Sequence, residues 1–162
     1  MSATVTRRRQ QGLCPGCGKQ SDTSGVYCSV CLVKVRESQV RLMAARRRAG
    51  NCPECGVPAV TGGEYSLCMK CWFKKVSKEH TGSKSRWEAL QELYERQQGR
   101  CRYTGEVLIP GKTASLDHII PTSRGGTHDP GNLQWVTKRI NSMKGNLTHD
   151  ELVALCRQIA AF

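Results

Sequence analysis

The chain has 162 residues, with 25 Lys and Arg against 13 Asp and Glu, a formal charge of +12, and ten cysteines. No stretch approaches the ~18 consecutive apolar residues of a membrane span, and the opening MSATVTRRRQQ lacks the apolar core of a secretory signal. A membrane or exported protein is therefore not expected; a cytoplasmic protein with a polyanionic partner is. The positive excess is uneven, with 16 basic residues against 5 acidic in 1–86 and 9 against 8 in 87–162.

Residues 1–12, with Arg7-Arg8-Arg9, read as a disordered basic arm. An internal repeat follows. LCPGCGKQSDTSGVYCSVCLVKV carries Cys14, Cys17, Cys28 and Cys31, and NCPECGVPAVTGGEYSLCMKCWFKK carries Cys52, Cys55, Cys68 and Cys71. Each copy is two Cys-x-x-Cys pairs, and four soft thiolates at that spacing suit one tetrahedral Zn²⁺. Two structural zinc ions are expected, in modules spanning 13–50 and 51–76. Gly18 and Gly56 follow the first pairs, where a turn toward sulfur is helped by positive φ. A tyrosine, Tyr27 or Tyr65, precedes each second pair, as in a tight hairpin.

Each second pair runs on into a basic segment. Val30 to Ala49 reads as a helix with Leu32, Val35, Val40 and Met43, ending in Arg46-Arg47-Arg48. Trp72-Phe73-Lys74-Lys75 begins a shorter counterpart. Arg46, Arg47, Arg48, Lys74 and Lys75 are candidate nucleic-acid contacts; the same residues also read as solvated helix ends. Residues 77–86 read as a polar linker with no core-forming residue. Arg86 to Gln98 is an amphipathic helix with Trp87, Leu90, Leu93 and Tyr94 on one side, and 100–105 should enter a short strand. Cys101 and Cys156 are expected to be free thiols in a reducing cytoplasm. Thr148-His149-Asp150-Glu151 is a capping box opening a last helix. The segment 87–162 is expected to fold by itself.

Chemistry concentrates in LDHIIPTSRGGTHDPGNLQWVTKRINSMKGN, Leu116 to Asn146. An Asp-His pair, Asp117-His118, sits in an apolar run. A polar loop with Gly125-Gly126 and Pro130-Gly131 follows. After Asn132, Leu133, Val136, Ile140 and Met143 fit one face of a helix, with Asn141 on its polar side and Gly145 as the stop. Adjacent strand residues point to opposite faces, so Asp117 and His118 share a site only at a strand end or local twist.

The order Asp117-His118, Gly125-Gly126, Asn132-Leu133, Asn141, Lys144-Gly145 resembles the HNH family of metal-dependent nucleases, with the ββα-metal fold. The resemblance implies a catalytic site of His118, Asp117, Asn132 and Asn141. His118 would be the general base, Asp117 and Asn141 ligands for Mg²⁺ or Mn²⁺, and Asn132 a holder of the loop. Lys144 would reach a nucleic-acid phosphate. Many such proteins carry a zinc site around this motif; here Thr104, Thr137 and Ile140 stand at three of its positions beside Cys101, so apolar packing must replace it. The expected architecture is small α+β: two zinc-ribbon or treble-clef-like modules, then an HNH domain over 87–162. The expected function is cleavage of double-stranded DNA by a monomer or homodimer, with the zinc modules binding the duplex. The competing reading is a non-enzymatic zinc adaptor with a degenerate nuclease domain.

Overall fold

The computed structural model describes residues 3–60 and 66–162. They form two compact units, 1–49 and 50–162. No helix among the described residues is long and apolar enough to cross a membrane.

The first unit holds helices α1 (Ala3–Gln10) and α2 (Ser29–Arg48) around the first cysteine cluster. Residues 3–10 of the basic arm are thus helical, not disordered. Arg8 explains why: its guanidinium donates to Pro15 O at 3.2 Å, and its backbone oxygen accepts from Leu13 N at 2.8 Å. Gly18 lies at φ +78°, and a Cβ there would stand 3.1 Å from Arg8 Nε. Gly16 is required for another reason, since its Cβ would come within 2.9 Å of Cys31 Sγ. The spacer is drawn together by hydroxyls rather than strands: Thr23 Oγ1 donates to Tyr27 O at 2.7 Å. Asp22 accepts from both Ser29 N and Ser29 Oγ at 2.7 Å, a carboxylate at the start of α2. No residue of α2 is buried, and Val40 is 67% exposed.

The second unit joins the second cysteine cluster to everything that follows. Helix α3 (Met69–Thr81) begins at Cys68 and continues into the stretch expected to be a linker, ending at Gly82 with φ +73°. Ser77, expected to be solvated, is fully buried and donates to Ser83 O at 2.6 Å. A 3₁₀ turn, Lys84–Arg86, leads into α4 (Trp87–Arg96). The short strand expected at 100–105 is instead a turn closed by one bridge, Arg100 to Val107. Strand β1 (Ala114–His118) pairs antiparallel with β2 (Leu133–Thr137), Ala114 opposite Thr137 and His118 opposite Leu133. Helix α5 (Lys138–Lys144) follows, then α6 (His149–Ala160), which opens with the expected capping box.

Residues 133–137, expected to begin a helix, are strand. Every residue of β2 is buried, and a strand covered on both faces loses the alternation that separates it from a helix. Thr137 then marks the change, its hydroxyl accepting from Ile140 N at 3.2 Å as the cap of α5. Met143, expected on the apolar face, is 58% exposed.

One core unites α3, α4 and the hairpin. Trp135 stacks on Trp72 at 5.0 Å between ring centroids and meets Phe73 edge-on at 5.9 Å. Its indole N–H donates to Leu90 O at 3.0 Å. The Gln97 amide stands in for a third strand, accepting from Trp135 N at 2.8 Å and donating to Trp135 O at 2.9 Å. Among the described residues, six of the fifteen buried in this core precede residue 87, so 87–162 shares its core with α3 and the second cysteine cluster, which argues against its folding alone. Phe73→Ala should cost about 3–5 kcal/mol. By circular dichroism, a zinc-loaded 50–162 fragment should fold cooperatively, whereas 87–162 should stay largely unfolded.

Candidate metal centres and catalytic site

The eight expected zinc ligands form two clusters, Cys14, Cys17, Cys28, Cys31 and Cys52, Cys55, Cys68, Cys71, each with its sulfurs within 4.8 Å of one another. Cys17–Cys28 and Cys55–Cys68 separations are 3.7 and 3.5 Å, near the ~3.8 Å edge of a tetrahedron with 2.3 Å zinc–sulfur bonds. The first pair of each cluster sits in a knuckle: Gly18 N donates to Cys14 O, and Gly56 N to Cys52 O, both at 2.8 Å. The hairpin tip expected in the second spacer, with Tyr65, lies outside the described residues.

The thiols themselves call for a cation. Hydrogen bonding from the Cys28 backbone, working against burial, pulls Cys14 down to about 6. Crowding by the Cys28 thiol, then burial, holds Cys31 up at about 12. In the second cluster, backbone N–H groups of Cys68, Cys55 and Glu54 outweigh burial and bring Cys52 to about 7, while burial and then Cys68 raise Cys71. Four thiolates so close ionise together only when a cation neutralises them, and soft sulfur selects zinc. Both clusters fit structural zinc.

In the hairpin, strand alternation sorts the predicted residues onto two faces. Ser115, Asp117 and, across the ladder, Gln134 lie on the side covered by α5. Asp117 is 5% exposed; its Oδ1 accepts from Lys144 Nζ at 3.1 Å and its Oδ2 from Gln134 Nε2 at 2.8 Å. Gln134 also donates to Tyr103 OH at 3.0 Å, which contacts His149 Nδ1 at 3.1 Å. Asn141 reaches the same strand face, its Nδ2 donating to Ser115 Oγ at 2.9 Å. Its side-chain oxygen, Oδ1, has no hydrogen-bond partner among the described residues.

Lys144 corrects an expectation. It is 1% exposed and directs its ammonium to Asp117 and to His118 O, at 3.1 and 2.6 Å. Its ammonium is thus engaged by the acid and the strand end rather than extended toward a phosphate. Of the other basic residues, Lys74 lies 5.4 Å from the Trp87 ring centre and Lys75 pairs with Glu79 at 3.6 Å. Arg47 and Arg48, at the end of α2, are exposed.

His118 is the last residue of β1 and points to the opposite face, toward α3. Its Nε2 lies 2.9 Å from His128 Nδ1, and its ring centre 6.3 Å from that of His80. Burial, then the neighbouring His128 and His80, lowers its pKa; burial likewise lowers that of His80. Three of the chain's four histidines thus meet here. The sequence singled out only His118, because His80 sat in an apparent linker and His128 in a polar loop.

Asn132 ties that loop. Its Oδ1 accepts from Ile120 N at 2.9 Å, and its Nδ2 donates to Ile120 O at 3.0 Å and Thr127 O at 2.8 Å. Gly126 passes so close that a Cβ would stand 1.8 Å from Ile120 O, so no other residue fits.

This hairpin, loop and helix coincide with a family model: residues 99–147 match HNH endonuclease. The segment is an HNH endonuclease domain. No curated protein and no solved structure matches the chain. Within the HNH domain, hard oxygen is available to a divalent cation: the Asp117 carboxylate keeps lone pairs beyond its two donors, and Asn141 offers its carbonyl. The residues present fit such an ion.

Two measurements follow. Elemental analysis should find two zinc ions per chain, falling to one in Cys71→Ser, which should also unfold the second unit because α3 springs from that cluster. Lys144→Ala, by stranding a buried carboxylate, should cost about 3–5 kcal/mol, seen as a lower melting temperature.

Proposed function

We propose that the chain is a metal-dependent DNA endonuclease that hydrolyses phosphodiester bonds. The observation that carries this reading is the end of β1, where an acidic oxygen ligand and a free imidazole nitrogen come from consecutive residues within an HNH domain. His118, kept neutral by its surroundings, accepts the proton of the attacking water at Nδ1, for which no described residue competes by hydrogen bonding. Asp117 and Asn141 hold Mg²⁺ or Mn²⁺, which when bound neutralises developing charge at the phosphate. Asn132 fixes the loop that follows the base. One such site per chain nicks one strand; a double-strand break takes a second subunit or a second event.

The zinc modules supply affinity for double-stranded DNA. Support comes from the charge excess in 1–86 and from the exposed Arg47 and Arg48, next to Arg46, at the end of α2. Eight cysteines grouped as metal-binding thiols, and none of the ten in a disulfide, suit a reducing compartment such as the cytoplasm. The second zinc cluster has another duty besides, since α3 is part of the catalytic unit's core. The adaptor reading loses ground because Asp117 and His118 are both present and both held.

His118→Ala should lower nicking of supercoiled plasmid by about 10²–10⁴-fold while leaving DNA affinity within a few-fold. A variant that cuts at the normal rate would remove His118 from the chemistry. Replacing Arg46, Arg47 and Arg48 with Ala should instead weaken binding and flatten its log–log salt dependence by about 0.9 for each phosphate left unneutralised; an unchanged slope would turn the first module toward a protein partner.

A further inference from the structure

His128 is placed with more care than an exposed loop residue needs. Asn132 Nδ2 holds the carbonyl just before it, that of Thr127, at 2.8 Å. Arg86, from the 3₁₀ turn after α3, holds its own carbonyl at 2.7 Å and pairs with Asp129 Oδ1 at 3.2 Å. The loop is therefore pinned from the β2 side and from the α3 side, and the ring between those pins delivers Nδ1 to within 2.9 Å of His118 Nε2. The two rings meet edge to face, 66° apart, so the contact is a directed hydrogen bond between nitrogens rather than a stack.

Two imidazoles joined in this way share one proton on the contact. A base that works through Nδ1 needs its own proton on Nε2, and the hydrogen bond made at one ring nitrogen decides the state of the other. We propose that His128 is a positioning residue for His118: with its proton on Nε2, His128 accepts through Nδ1 from His118 Nε2–H and so leaves the His118 Nδ1 lone pair for the water. In the hydrolytic step the water's proton goes to His118 Nδ1 as its oxygen bonds to phosphorus, while the P–O3′ bond breaks with its electron pair on O3′, which takes a proton from solvent and leaves as the 3′-hydroxyl. His118 Nε2–H remains bonded to His128 throughout. The inference rests on His118 being the base, and adds a residue that a search for acids, bases and metal ligands by spacing does not find.

The test uses the full-length, zinc-loaded protein, supercoiled plasmid and Mg²⁺, with zinc content and circular dichroism checked for each variant. His128→Leu should reduce the single-turnover nicking rate by about 10–100-fold, the usual effect of removing a partner that orients a functional histidine, with DNA affinity unchanged. His128→Asn should recover most of that rate, because its Oδ1 sits near where the imidazole Nδ1 was and also accepts. Long-range ¹H–¹⁵N spectra of wild type should show His118 protonated at Nε2, and this readout needs no cleavage. His128→Leu cutting at the wild-type rate, His128→Asn as slow as His128→Leu, or His118 protonated at Nδ1 would each overturn the assignment. Failure of the base itself is separable: there, His118→Ala would nick normally.

Discussion

The second unit depends on how Trp135 is held. A two-stranded hairpin does not stabilise itself in water, and this one carries His118, the proposed base, on the last residue of β1. The indole is covered by Trp72 and Phe73 from α3, its N–H is taken by α4, and its backbone is paired with the Gln97 side chain. Since α3 begins at Cys68 and Cys71, the second zinc cluster acts on the hairpin through the first turns of that helix. Metal binding there is folding free energy for the catalytic unit.

The knuckle turn occurs three times, and the third shows what zinc is needed for. Gly18, Gly56 and Gly105 all have positive φ, at +78°, +85° and +69°, and each donates to the oxygen of the cysteine four residues before it. Leu13–Gln20, Asn51–Pro58 and Arg100–Val107 close the three turns with one bridge apiece. In the first two, a second cysteine pair completes a cluster; in the third, Thr104 replaces the second thiol and Thr137 caps α5. The backbone keeps its form because Cys101 is buried in the shared core. At the third knuckle apolar packing thus stands where the other two have a second pair of thiols; at the second knuckle Cys52 and Cys68 belong to the same core and to a cluster that fits zinc.

This division explains what the sequence could reveal. Thiol spacing and the Asp-His, Gly-Gly, Asn and Lys-Gly order are local, and both zinc clusters and the HNH segment were legible from them. The strand at 133–137 was not, because burial on both faces erases the period-two pattern. Ser77 was misread since a buried serine is betrayed only by its partner, here Ser83 O. Lys144 was misread for a related reason: a lysine near a nuclease motif looks like a phosphate contact until the carboxylate beside it is seen to be buried. His80 and His128 bear no fixed spacing to His118 and meet it only through tertiary structure.

The alternation of β1 has a further consequence. Asp117 and His118 leave the strand on opposite sides, so no single element can support both. Helix α5 serves Asp117 and its strand face, through Lys144 and Asn141; the face of His118 is reached from α3, with His80, and from the pinned loop with His128. Lys144 links the two, since one ammonium binds the Asp117 carboxylate and the His118 carbonyl. A buried pair of this kind gives little net stability, because desolvation offsets attraction. Its value is geometric: it fixes the peptide between Asp117 and His118, so that a rotation displacing one displaces the other. Holding both residues therefore requires covering elements on both sides of the hairpin, and the element on the side of His118 is the helix that grows from the second cysteine cluster.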